Sequence, residues 1–465
     1  MRKMNILGAA FLLGFFCNTA AAVVPNPTVI GPIPATAPPG DPSHAYPFYS
    51  TTVDLAASDY VEEEFFLQGT ASQYNTPPMA TGSIIDSGHR YTTRMIVRRP
   101  ASPDDFNGTV LVEWQGGPGL DTDAFWLEEH DHYIRRGYAW VGVSVRRAGI
   151  DTPVTGLKAW SPGRYGTLDV TEGGKILDDA LSYDIFSQAA EAVRSPVGVD
   201  PMGGLNVERV IAISANANLA TYHNSIHPLA GVFDAFLVAF NGGKLRTDLD
   251  VKVLKLLNET SIAGNQAALR RQLDSDHFRR WEIAGTAAHD FHFQQEIVPL
   301  RARDGLSPLR TDCNLPPFTR IPLYFVANAA TEQLVRWVKD NIQPPSAPEI
   351  EVVAAGPPGV IARDTFGNAR GGIRLSQLAV PTATNTGVNS GPEFCSAFGS
   401  FQPFDDATRD ELYPNHGTYV SQVTHTAHDN LKNGFIVLED EIATVQEAAQ
   451  SDIGKPQRGD GVGRR

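Results

Sequence analysis

Hydrophobic positions in this chain gather into two alternating kinds of run. Short runs rich in Val, Ile, Leu, Phe and Tyr predict strands at 60–68, 91–97, 109–114, 138–145, 210–213, 232–240, 251–257 and 278–284. Between them, apolar residues at helical spacing predict helices over 125–136, 183–194, the stretch after Ser214, and 266–273. Gly137 is placed to close the first of these helices. The first two strands are expected to be antiparallel, and Asn107-Gly108 makes a turn before the third. The run 138–145 is almost continuously apolar, as a strand covered on both faces should be. Strands alternating with helices predict an α/β fold with a mostly parallel central sheet and helices on both faces.

The ends of the chain read differently. Met-Arg-Lys, an apolar run from Ile6 to Phe16 and a small-residue stretch ending at Ala22 describe a signal peptide over 1–22, with a buried N-terminal helix as the alternative. The run is too short to cross a bilayer. Residues 23–54 open on a Pro/Gly-rich, extended lead-in. The core is expected over 55–300. Beyond it, 301–450 is expected to be an appended layer of the same unit, with helices near 331–342, 417–433 and 438–450. Residues 451–465 read as a polar tail.

Composition narrows the function classes. The chain of 465 residues is 42% hydrophobic and 19% charged, which is globular. Its formal net charge is −14, and loss of Arg2 and Lys3 with the leader makes it more negative. That excludes nucleic acid and anionic membrane surfaces as natural partners. No Cys/His cluster has metal-ligand spacing and no glycine loop suits a phosphate, so neither metal nor cofactor is expected. Cys313 and Cys395 remain after the leader, and export permits a disulfide between them. Two buried thiols are the alternative. Localisation is expected to be secreted or periplasmic, with no transmembrane helix in the mature chain. Oligomeric state is not legible.

One strand end carries candidate chemistry. Val210–Ile213 runs directly into a helix, with Ser214 at the junction. A serine at such a corner is how α/β-hydrolases present a nucleophile, usually within Gly-x-Ser-x-Gly. Here the frame reads Ala212-Ile-Ser214-Ala-Asn216. Serine needs a base, and the base needs an orienting acid, in the chain order serine, acid, histidine. Glu259 follows the seventh predicted strand and His289 the eighth. Asn216 rivals Ser214 for the nucleophile slot, and His292 rivals His289. The loop Gln115-Gly-Gly-Pro-Gly119 follows the third strand, where one oxyanion donor is expected. Candidate donors are the N–H groups of Gln115 or Gly116, with Ala215. Ser144 lies in a Gly-x-Ser frame with no helix after it and reads as mid-strand.

Several segments together resemble a bacterial alpha/beta hydrolase domain family of mostly uncharacterised, secreted, serine-esterase-like proteins. They are Val110-Leu-Val-Glu-Trp114, Arg164-Tyr-Gly-Thr-Leu168, Ser182-Tyr-Asp-Ile-Phe-Ser-Gln-Ala189, Leu219-Ala-Thr-Tyr-His-Asn-Ser-Ile-His-Pro-Leu229, Phe278-Arg-Arg-Trp-Glu-Ile-Ala-Gly-Thr286 and Arg363-Asp-Thr-Phe-Gly-Asn-Ala-Arg-Gly-Gly-Ile-Arg374. The resemblance implies an α/β-hydrolase fold and an esterase-like site, with Ser214, Glu259 and His289 as the triad. Its elbow pattern looks like Gly-x-Ser-x-Ser, whereas this chain lacks the first glycine and is a few residues shorter. Cleavage of a small-molecule carboxylic ester through an acyl-enzyme is the expected function. A degenerate hydrolase kept as a binding protein is the alternative, and amide or lactone cleavage by the same site is a third.

Overall fold

The computed structural model describes residues 24–455 apart from Pro118, Asn216 and Asn265. The expected signal peptide, the Asn216 alternative and the end of the tail therefore lie outside the described residues.

Ten strands form one sheet. They are β1 (Thr28–Ile30), β2 (Tyr60–Asn75), β3 (Ser83–Pro100), β4 (Thr109–Trp114), β5 (Ala139–Val143), β6 (Val197–Gly198), β7 (Arg209–Ser214), β8 (Ala235–Ala239), β9 (Lys252–Asn258) and β10 (Phe278–Ile283). Their order is β10-β9-β8-β7-β4-β5-β3-β2-β1-β6. The six from β10 to β5 run parallel, and β3, β2 and β1 extend the sheet in antiparallel pairings.

Side chains alternate across a strand, so each central strand feeds two cores. Val110, Val112, Val210, Ala212, Phe236 and Val238 face one core, which the helix α2 (Ser182–Arg194) covers with Ile185, Phe186 and Ala189. Leu111, Trp140, Ile211, Ile213, Leu237, Leu254 and Trp281 face the other. There α1 (Ala124–Arg136) and a later helix, Leu323–Asp340, supply the cover. Gly137 ends α1 at φ 70°, and a Cβ there would lie 2.1 Å from the Asp105 carbonyl oxygen. Only glycine fits that turn.

Further helices follow in chain order: α3 (Ala217–Thr221), α4 (Glu259–Gly264), α5 (Phe291–Arg303), α6 (Leu323–Asp340), α7 (His416–Lys432) and α8 (Leu438–Gln450). Three expectations change. The lead-in contributes β1, which pairs with β2 and β6 at the sheet edge. The predicted helix at 266–273 is only a 3-10 turn, Ala267–Arg270. The sequence pattern did not reveal α5, because Pro299 interrupts it and its apolar residues form only a short stripe. Past β10, Ile373 continues the sheet hydrogen bonding to Glu282 and Ala284, which ties the C-terminal layer to the core. No helix among the described residues is long and apolar enough to cross a membrane.

Candidate active site

The chain winds from β4 through α1 to β5 on one side, then returns to place β7 on the other side of β4. Such a reversal opens a crevice beyond the strand carboxyl ends. Ser214 is the last residue of β7 and stands beside Trp114, the last of β4; its Oγ donates to the Trp114 carbonyl at 3.1 Å. It lines a cavity of about 430 Å³ together with Gly116, Ala215, Phe240 and His289. Phe240 follows β8 at φ 57°, a conformation costly for an aromatic residue, and backbone strain of this kind clusters at functional sites.

His289 arrives on the loop after β10. Gly285 turns that loop at φ 76°, and the His289 N–H donates to the Ala397 carbonyl at 2.9 Å. Its ring stacks on Phe293 of α5 at 4.3 Å, with Phe394 and Phe398 each 6.2 Å away. Burial among these rings lowers its pKa to about 4, because the cation loses its water. Nδ1 is buried without a hydrogen-bond partner. The rival His292 stacks instead on Tyr324, 4.0 Å away, and does not line the cavity.

Glu259 opens α4 and is fully buried. Its expected partner was His289, and the structure gives it others. Oε2 accepts the Gly285 N–H at 2.9 Å, and Oε1 is paired with Arg363 from the C-terminal layer. Burial raises its pKa, with Arg363 acting against the rise. The physical reason for the change of partner is charge. A guanidinium offers a full positive charge to a buried carboxylate, whereas a buried neutral imidazole offers only a dipole. Glu259 also fixes the loop that carries His289, since its own N–H donates to the Thr286 carbonyl at 3.1 Å.

The oxyanion expectation also needs a correction. The Gln115 N–H is spent on the Val143 carbonyl at 3.2 Å, continuing the β4–β5 ladder. Its side chain donates to Asp123 and accepts from Ser144 Oγ, so Gln115 is a buried pillar below the loop. That contact also occupies Ser144. Gly116, at φ 133°, lies on the cavity wall with Gly117, and Ala215 after β7 lines it too. A side chain at 116 would be strained whatever the space, and its Cβ would lie 3.0 Å from Arg146 Cδ.

Cys313 and Cys395 form a disulfide with Cα atoms 5.5 Å apart. It pins the short helix Cys395–Phe398, which supplies the Ala397 carbonyl and the Phe398 ring that hold His289, while its N-cap residue Phe394 supplies another ring. Arg363, Phe293, Phe394 and Phe398 are not among the candidate site residues of the sequence. Arg363 and Phe293 were at least legible as a cation in a resembling segment and an aromatic four residues past the histidine.

A mostly parallel sheet with helices on both faces, together with the family match, makes this an α/β-hydrolase fold. Within it, this chain belongs to the alpha/beta hydrolase domain family, which it matches over residues 29–446. Among solved structures it is similar to XC6422 from Xanthomonas campestris, described as an a/b serine hydrolase without lid. The identity is 13%, over 52% of this chain and 97% of that one, with a TM-score of 0.30. It is also similar to the esterase Est22, at 12% identity over 44% of this chain and 66% of that one, with a TM-score of 0.27. An acetyl xylan esterase from Paenibacillus sp. R4 shares 13%, over 43% and 55%, with a TM-score of 0.24. These likenesses are distant. Among curated proteins, none matches the chain.

Proposed function

We propose that the protein is an exported serine hydrolase that cleaves carboxylic esters of small molecules. The observation that carries this reading is the convergence of Ser214, His289, Gly116 and Ala215 on one cavity. Ser214 Oγ leaves the Trp114 carbonyl and attacks the ester carbon, while His289 Nε2 takes its proton. The carbonyl oxygen becomes an oxyanion against the backbone N–H groups of Gly116 and Ala215. The ester C–O bond breaks as His289 returns the proton to the departing alcohol. Water, deprotonated by His289, then releases the acid and restores Ser214. Glu259 acts through the Gly285–Thr286 turn as a positioning residue for His289. Export is supported by the basic and apolar leader and by the Cys313–Cys395 disulfide.

A second reading has its own observation. Glu259 is held by Arg363 and His289 Nδ1 has no hydrogen-bond partner, which suits a hydrolase retained for binding. A fluorophosphonate probe separates the two. The enzyme reading expects covalent labelling of the wild type and none of Ser214→Ala. Equal labelling of both proteins would falsify Ser214 as nucleophile, and labelling of neither favours the binding protein.

A further inference from the structure

Two unequal spaces adjoin the Ser214–His289 cavity. One is a groove of about 950 Å³ that shares Ala215 and Phe240 with it and carries polar residues such as Tyr183, Asn241, Lys244 and Arg270. The other is a chamber of only about 60 Å³ that shares Ala215, Ala288 and His289. Its walls are apolar: Phe125 from α1, Leu256 from β9, and Leu323 and Ala327 from α6. The chamber is many times smaller than the groove on the other side of the cavity.

Three side chains of the chamber keep buried polar atoms without a hydrogen-bond partner: His289 at Nδ1, Glu129 at Oε1 and Glu128 at both oxygens. Glu128 of α1 lines it, is buried, and has no hydrogen-bond partner at either carboxyl oxygen. Its neighbour Glu129 also lines the chamber, but Thr331 Oγ1 donates to its Oε2 at 2.8 Å, so only Glu128 has both oxygens unpartnered. Burial, and then the nearby Asp290, Glu129 and Glu296, raise the pKa of Glu128 well above the ordinary carboxyl range. A carboxyl group accepts hydrogen bonds and, when protonated, also donates one. A buried polar group without a partner is costly, and a ligand group that both donates and accepts would satisfy both oxygens. An alcohol hydroxyl does so; a carbonyl or an alkyl end does not.

We propose that this chamber receives the acyl group of the substrate, and that this group is short and carries a hydroxyl, beyond its α-carbon, that pairs with Glu128. A short chain follows from the contrast between this small chamber and the large groove. The alcohol portion then lies in the large polar groove. This inference rests on ester cleavage at Ser214.

The test uses p-nitrophenyl butyrate, 3-hydroxybutyrate and octanoate with the full-length protein and Glu128→Leu. In the wild type, kcat/KM is expected to favour hydroxybutyrate over butyrate by about tenfold or more, and butyrate over octanoate by a similar factor. Glu128→Leu is expected to bring the hydroxybutyrate-to-butyrate ratio to about one. Octanoate cleaved as fast as butyrate, or a wild type indifferent to the hydroxyl, overturns the proposal. The wild-type profile alone decides this even where the variant does not fold. Probe labelling of Ser214 with a flat profile removes the acyl-chamber inference and leaves ester cleavage standing. No labelling and no turnover removes both.

Discussion

His289 owes its properties to its surroundings. The stack on Phe293 and the two flanking phenyl rings exclude the water that an imidazolium needs, and its pKa falls to about 4. The ring is thus neutral at pH 7, as a general base must be, but it is a weaker base than an exposed histidine. The acidic limb of kcat/KM is therefore expected near pH 4. Phe293→Ala admits water, relieves the penalty on the cation and should move that limb up toward about 6.5. A pH–rate profile checks both, and a wild-type limb already near 6.5 would contradict the burial argument. Ser214 and His289 were legible because strand ends and loop order are local features. Arg363 as the partner of Glu259 was not, because nothing near residue 363 in the chain points to residue 259.

At the scale of elements, α5 and its cap matter most. Asp290, next to His289, caps α5 by accepting from Phe293 N at 3.0 Å, and its other oxygen accepts from Leu323 N at 3.1 Å. One carboxylate thus joins the His289 loop, the helix bearing Phe293 and the start of α6. Asp290→Ala removes both bonds and is expected to cost about 1–2 kcal/mol of stability, read by urea unfolding. It should also lower kcat more than it raises KM, since the loop positions the base and not the substrate. Asp before a helical run is a readable start signal. The helix itself went unread because Pro299 sits inside it, and packing against α1 and the core outweighs that local penalty.

At the scale of the whole molecule, buried ionisable groups set the pH dependence of stability. His132 and His227 have pKa values lowered by burial to about 3, and His223, His289 and His292 to about 4. Unfolded histidines bind protons below about 6.5, so these five cost stability as pH falls through that window. The buried acids act in the opposite sense. Glu129 is raised by burial to about 8, Asp440 to about 7, and Asp121 and Asp290 to about 6. Folded, they keep protons that the unfolded chain releases above about 4, so they cost stability as pH rises. The two sets oppose each other below about pH 6.5, and above it only the acids act. Stability is therefore expected to fall between pH 6.5 and 8. Glu129→Gln should recover roughly 1–2 kcal/mol of that loss, measured by urea unfolding at the two pH values.

Sequence alone determined the fold class, the central strands, the cap at Gly137 and the order of Ser214 and His289 along one sheet edge. Those features follow from alternation, helical spacing and turn chemistry, which operate over a few residues. Tertiary structure decided the rest. It paired Glu259 with Arg363, 104 residues away. It spent the Gln115 N–H on the neighbouring strand and left Gly116 on the cavity wall. It gathered three phenyl rings around His289 and shaped a small chamber with Glu128 at its wall. Each depends on which distant side chain arrives with the better charge, donor or surface, and hydrophobic periodicity carries no record of that competition.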